Sequence, residues 1–175
     1  MPVRPATLAD AQAIAEVHVA SWQTSYRGIV PQHILDVLSF ENRLKQWTGG
    51  FGNPLRGLPI LVAVDGHRVV GFADGGPSRD ADAKPKTMEL YAIYLLQEFQ
   101  RKGLGRELWT SMVASIQNTG ATAVTVWVLV ANTPAQNFYK ALGFRPDGEV
   151  KTIDVGEVNL REMRYRLPLM QSAQA

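Results

Sequence analysis

Gln100-Arg101-Lys102-Gly103-Leu104-Gly105-Arg106 places three cations and two glycines in one short run, and an apolar, helix-like pattern follows at once. Cations neutralise phosphate, and glycine lets a backbone N–H approach it with no Cβ in the way. The run is therefore a candidate cradle for a phosphate-bearing cofactor; the other reading is a polar loop entering a helix. Two nucleotide-binding loops fail on spacing. No lysine followed by Ser/Thr comes after the second glycine, as a P-loop requires, and no third glycine stands at the dinucleotide-fold position. What the run does match is Gln/Arg-x-x-Gly-x-Gly/Ala.

Composition removes several other chemistries. There is no cysteine, which excludes disulfides, thiolate metal sites and a cysteine nucleophile together. The three histidines are scattered and form no cluster with metal-ligand spacing, so no metal is expected. Basic and acidic residues nearly balance, 18 against 16. No basic stripe with interleaved aromatics appears, so no nucleic acid is expected as a partner. The short cationic runs, Arg101-Lys102 with Arg106 and Arg161 to Arg166, read as solvated faces. The amino terminus lacks the apolar core of a signal peptide, and no window approaches the ~20 apolar residues of a membrane span. A cytoplasmic protein with no membrane contact is expected.

The elements that must hold the glycine run follow an alternating plan. Thr7 with Asp10 starts a helix through Trp22, after a short strand in Pro2 to Thr7. Pro31 opens a second helix at its first helical position, and a third piece, Glu41 to Trp47, ends at Gly49-Gly50. Two β-rich runs flank Asp65-Gly66, a strong hairpin signal. Thr87 to Leu96 is nearly continuous in apolar residues, which suggests a central strand. A helix from about Gly103 to Asn118 follows, then a buried strand, Thr122 to Val130. Thr133 to Phe144 is a helix closed by Gly143, and the tail from Glu149 reads as a last hairpin. With no repeat, linker or low-complexity run, residues 1–175 read as one α/β domain.

A second segment sharpens the first. Asn132 to Phe144 reads NTPAQNFYKALGF, after the strand that follows the glycine run. Together the two stretches resemble the GCN5-related N-acetyltransferase (GNAT) superfamily, whose second motif has the form Asn-x-x-Ala-x-x-Phe-Tyr-x-x-x-Gly-Phe. The resemblance covers most of the chain, because the order of helices and strands matches as well. It implies a mixed, mostly antiparallel central sheet flanked by helices, with strands splayed at the cofactor site. It also implies acetyl-coenzyme A as co-substrate and transfer of its acetyl group to a primary amine. With no cysteine to carry an acetyl group, direct transfer in a ternary complex is preferred.

By the same resemblance, the backbone of Ile93, Tyr94 and Leu95 meets the pantetheine amides. The run from Gln100 through Arg101, Lys102, Gly103, Leu104, Gly105 and Arg106 caps the pyrophosphate. Asn132 and Asn137 join this cofactor-binding set; Asn132 is also placed to cap the helix that begins at Thr133. Tyr139 is the candidate general acid, since a phenol with a reference pKa of ~10 keeps its proton at neutral pH and can pass it to a departing thiolate. Its other reading is a core tyrosine. Glu89 lies eleven residues before Gln100 in an otherwise apolar strand, a spacing that resembles family members whose glutamate draws the amine proton. A structural ion pair with an arginine is the alternative reading of Glu89. Glu98 points to solvent.

The acceptor pocket of this superfamily forms between the amino-terminal helices and the far side of the sheet. Trp22, Tyr26, Tyr91 and Trp127 are the candidates here, with His18 a lesser one, and core packing is their competing explanation. Relatives that acetylate ribosomal-protein amino termini carry a glutamate where this chain has Trp127, which counts against that substrate. A small-molecule or peptide amine is the expected acceptor, and a homodimer is a family-based expectation. A non-catalytic acetyl-coenzyme A sensor and a structural module without cofactor are the rival classes.

Overall fold

Asp10 starts the first helical segment by accepting from the backbone N–H of Thr7 at 2.8 Å and from its hydroxyl at 3.0 Å. Strand β1, Val3–Pro5, supplies Arg4, whose guanidinium grips the same carboxylate through two contacts of 2.8 Å. One turn of 3₁₀ helix, Leu8–Asp10, leads into α1, Ala11–Ser25. In this computed structural model residues 2–51, 53 and 57–169 are described. Helix α2 is short, Gln32–Asp36, and Pro31 is its N-cap rather than its first helical residue. Helix α3, Phe40–Phe51, runs on through Gly49 and Gly50, where the sequence pattern ends it. Glycine costs a helix only ~1 kcal/mol, and Trp47, packed edge-on against Phe72 at 4.9 Å, helps anchor the segment.

The strands are β2 Leu61–Asp65, β3 Arg68–Pro77, β4 Thr87–Leu95, β5 Ala123–Leu129, β6 Arg145–Val155 and β7 Val158–Pro168. They form one mixed sheet in the order β1-β2-β3-β4-β5-β7-β6. Gly66, at φ +57°, makes the β2–β3 turn that Asp65-Gly66 announced. Strand β6 begins at Arg145, earlier than the pattern predicts. It is an edge strand exposed along most of its length, so no apolar alternation marks its start.

Among the described strands only β4 and β5 pair in parallel, and α4, Leu104–Gln117, is the crossover that joins them. Leu104, Leu108, Met112 and Ile116 recur at helical spacing on α4 and are all buried. Helix α5, Thr133–Ala141, ends just before Gly143, which sits at φ +97°. Phe72 turns one face of the sheet toward His18 of α1 and Trp47 of α3. On the other face Gly105 of α4 lies against Phe138 of α5, and the Tyr165 hydroxyl donates to Gln136.

Candidate active site where the central strands part

Parallel pairing of β4 with β5 is short. Thr87, Met88 and Glu89 lie opposite Ala123, Val124 and Thr125, and among the described residues no pairing continues beyond that row. On its other edge β4 stays paired with β3 as far as Leu95. A register shift leaves Tyr91 between Leu90, opposite Gly75, and Ala92, opposite Asp74. Such a bulge bends a strand, and it lies directly after the last row shared with β5. The Leu96 N–H donates back to Val70. Because successive residues alternate edges, Ile93 and Leu95 turn their amides away from β3, into the opening, while Tyr94 turns its own toward β3. The Leu95 carbonyl accepts from Ser21 Oγ at 3.2 Å and from Gln100 Nε2 at 3.1 Å.

The glycine run stands at the start of α4. Arg101 adopts φ +57° and Gly103 φ +87°, so the chain curls and its N–H groups converge. Among the described residues the N–H groups of Arg101 through Gly105 donate to no carbonyl; the first returning bond is Arg106 N–H to Gly103. Gly105 is needed for room, since a Cβ there would stand 3.1 Å from the Phe138 ring. Arg101, Lys102 and Arg106 are exposed, and Lys102 reaches over Phe99. A concave set of free donors at a helix start, ringed by cations, fits a pyrophosphate.

Asn132 caps α5 as the sequence suggests: its Oδ1 accepts from Ala135 N–H at 3.1 Å. Its Nδ2 has no partner among the described residues. Asn137 is exposed on the same helix. Tyr139 is buried, yet its hydroxyl makes no hydrogen bond among the described residues. The Trp22 indole nitrogen is the fully buried side-chain polar atom left without a partner there, so the Tyr139 oxygen retains contact with solvent. Burial pushes the Tyr139 phenol well above the ordinary tyrosine range, and Tyr94 adds to the shift. Tyr139 belongs to α5, while Tyr94 packs toward α1.

On the α1 face, the Tyr26 and Tyr94 hydroxyls share a hydrogen bond of 2.8 Å. Trp22 packs edge-on to Tyr26 at 4.7 Å, and His18 stacks on Tyr94 at 5.4 Å. His18 Nδ1 accepts from the Trp47 indole at 3.2 Å, and burial pushes the imidazole down to about 3. Glu89 sits in the last paired row, 2% exposed. Its carboxylate accepts from the Arg79 backbone N–H at 3.0 Å and from the Arg79 guanidinium, which lies 4.0 Å over the Tyr91 ring. The Tyr91 hydroxyl donates to Pro77 at 2.6 Å, and the Trp127 indole donates to Asp80 at 2.9 Å.

The sequence matches the model of the acetyltransferase (GNAT) family over residues 18–144. The chain belongs to this family. It is 36% identical to the uncharacterized N-acetyltransferase YuaI of Bacillus subtilis, over 95% of this chain and 92% of that one. It is 28% identical to phosphinothricin N-acetyltransferase of Streptomyces viridochromogenes, over 85% and 76% of the two chains. Its fold matches that of yncA from Salmonella typhimurium, solved with its cofactor acetyl-CoA, at a TM-score of 0.72 and 24% identity, over 99% and 96% of the chains.

One part of this GNAT site was misread from sequence. Arg164 is not on a solvated face: it is 5% exposed. Its guanidinium donates to Asp147 at 2.7 Å, to Asp82 through two bonds of 2.7 Å and to Asp80 at 3.1 Å. This one side chain ties the β3–β4 loop and the start of β6 to β7, directly beside Trp127. Glu162 was also missed. It faces the same side of the sheet as Glu89, because Glu89 pairs with Thr125, Thr125 pairs with Arg166, and Glu162 lies four residues before Arg166 on β7.

Proposed function

We propose that this acetyl-coenzyme A-dependent N-acetyltransferase acetylates a small-molecule primary amine, with Glu89 taking up the amine's proton and Tyr139 supplying one to the departing thiol. The reading is carried by the opening beyond Glu89 and Thr125, which has a ring of free N–H donors at one side and a tyrosine hydroxyl retaining solvent contact at the other. The co-substrate supplies an activated acetyl thioester. The N–H groups of Arg101 to Gly105 hold its pyrophosphate, with charge from Arg101, Lys102 and Arg106, while Gln100 braces the Leu95 carbonyl. Leu104 begins the helix behind them. Ile93 and Leu95 offer backbone groups to the pantetheine arm, as does the free Nδ2 of Asn132. Tyr94 and Asn137 contribute less: one turns its amides to β3, and the other lies out on α5.

Glu89 receives the proton through water rather than by touching the amine, because Arg79 occupies both of its oxygens. Trp22, Tyr26, Tyr91 and Trp127 wall the acceptor side. A small acceptor is favoured over a peptide because that side is closed in. Arg164 pins the β3–β4 loop, and α2 meets the tip of the β6–β7 hairpin through His33 on Glu157 at 2.6 Å. The phosphinothricin activity of a relative agrees with a small amine.

Release of free thiol from acetyl-coenzyme A, measured against a panel of primary amines, tests the reading; no acceptor above background would sink it. Glu89→Gln then tests the proton route. It keeps the shape and part of the hydrogen bonding, and kcat/KM is expected to fall by ~10²-fold or more, with loss of the rising limb of the pH–rate curve. A variant that is merely less stable, with the parent's pH limb intact, would make Glu89 scaffolding for Arg79.

A further inference from the structure

Glu162 is a half-buried carboxylate with little to neutralise it. Its ion pair is with Lys151 of β6 at 3.6 Å, and Lys151 is itself engaged over the Trp127 ring at 3.9 Å. Burial holds the Glu162 carboxyl above the ordinary glutamate range, and the charge of Glu89 pushes it further; Lys151 and Arg79 pull the other way. The field of Glu162 also reaches Tyr26, just past the end of α1, and Tyr94 on β4, and raises the pKa of both phenols. The register places Glu162 on the Glu89 face of the sheet, opposite Leu129 and beyond the last row that β5 shares with β4. A hollow of about 210 Å³ opens next along the two strands; Leu129, Val130, Asn159, Leu160 and Arg161 line it, and Glu162 stands just outside that lining. Leu129 is the register partner of Glu162, and Leu160 lies two residues before it on the same strand.

We propose that Glu162 is the docking carboxylate for the ammonium group of the acceptor, with the hollow beside it taking the acceptor's apolar arm. A half-buried anion whose one ion pair is a lysine shared with an aromatic ring gains from a second cation, and an alkylammonium with a pKa of ~10 arrives charged at neutral pH. Docking and proton removal then fall to different carboxylates. Glu162 draws the cation in, and Glu89, at the vertex of the opening, receives the proton. The proposal rests on the transferase reading above and adds to it the chemical class of the acceptor: a cationic amine with an apolar substituent.

The test uses the full-length protein and the best acceptor from a primary-amine panel. Glu162→Gln is expected to raise KM for that amine by ~10-fold or more, the scale of one charge-assisted hydrogen bond, with kcat at saturating amine nearly unchanged. The melting-temperature gain on adding acetyl-coenzyme A should match the parent's, which shows that the variant folds and binds. Lys151→Met removes the competing cation and is expected to move KM the other way. An unchanged KM in both variants overturns the proposal while the transferase reading stands. So does a Glu162→Gln variant with normal KM, low kcat and a lost pH limb, because Glu162 would then be the base. If the parent acetylates no amine in the panel although acetyl-coenzyme A stabilises it, the transferase reading itself fails and takes this one with it.

Discussion

Phenylalanine in place of Tyr139 removes one oxygen from a buried ring and, among the described residues, no hydrogen bond. Packing against Phe138 and Phe144 should survive, so the melting temperature and the affinity for acetyl-coenzyme A should stay close to the parent's. Turnover is expected to fall by ~10²-fold or more, the usual loss for a positioned proton donor. Turnover within a few-fold of the parent, with chemistry limiting, would reduce Tyr139 to a core residue. His18 shows the opposite use of a buried ring. Its imidazole is pushed down to about 3 from an ordinary 6.5, by burial first and by Arg43 second. Below pH ~6.5 the unfolded chain binds a proton that the native imidazole refuses. The stability His18 contributes is therefore complete above that pH and is lost as the pH falls toward 3, by ~1.4 kcal/mol per pH unit. Unfolding midpoints of His18→Asn, measured between pH 7 and pH 4, should show a shallower slope than the parent's. Parallel slopes would mean that other groups set the acid limit.

At the scale of elements, the start of α4 is expected to decide whether the cofactor is held. Gly103 at φ +87° curls the chain so that its N–H groups converge. Gly103→Glu brings both backbone strain and a negative charge to the place where a pyrophosphate should sit; Gly103→Ala brings the strain alone. Saturation at a hundredfold excess over Kd is worth ~2.7 kcal/mol of stability. That gain should vanish in the glutamate variant and persist in the alanine variant, as read from melting temperatures with and without acetyl-coenzyme A. This element was legible in advance because its glycines, cations and the buried spacing of Leu104, Leu108 and Met112 all lie within one short window. The hairpin at Asp65-Gly66 and the cap at Asn132 were legible for the same reason. Residues brought together only by register were not. Asp80, Asp82 and Asp147 lie far from Arg164 in sequence, and Glu162 looks like any exposed-face glutamate in a tail hairpin. The overrun of α3 through Gly49-Gly50 was hidden because local glycine signals were outweighed by tertiary packing.

Across the whole molecule, Arg164 is where the β3–β4 loop, the start of β6 and strand β7 meet. Arg164→Met would leave Asp80 and Asp147 partly buried without their cation, and the expected cost is about 3 kcal/mol, at the low end for a broken buried pair because Asp82 is solvated. Chemical denaturation should show that loss, together with a weaker grip on the acceptor as Trp127 loses a fixed Asp80. A variant as stable as the parent would mean that water serves the three carboxylates equally well. The short contact between β4 and β5 has a wider consequence. One half of the sheet runs from β1 to β4 and the other from β5 to β6, and the strand-to-strand bonding between them is three rows long. Each half is otherwise knitted by antiparallel pairs. With so few strand-to-strand bonds, and with Arg164 and α4 among the other ties across it, this seam is expected to open at less than the cost of global unfolding. A molecule lying in the gap and bonding to both arms does the work of the missing rungs. A co-substrate held there as proposed would act as a splint, and amide hydrogen exchange along both arms is expected to slow together when it binds.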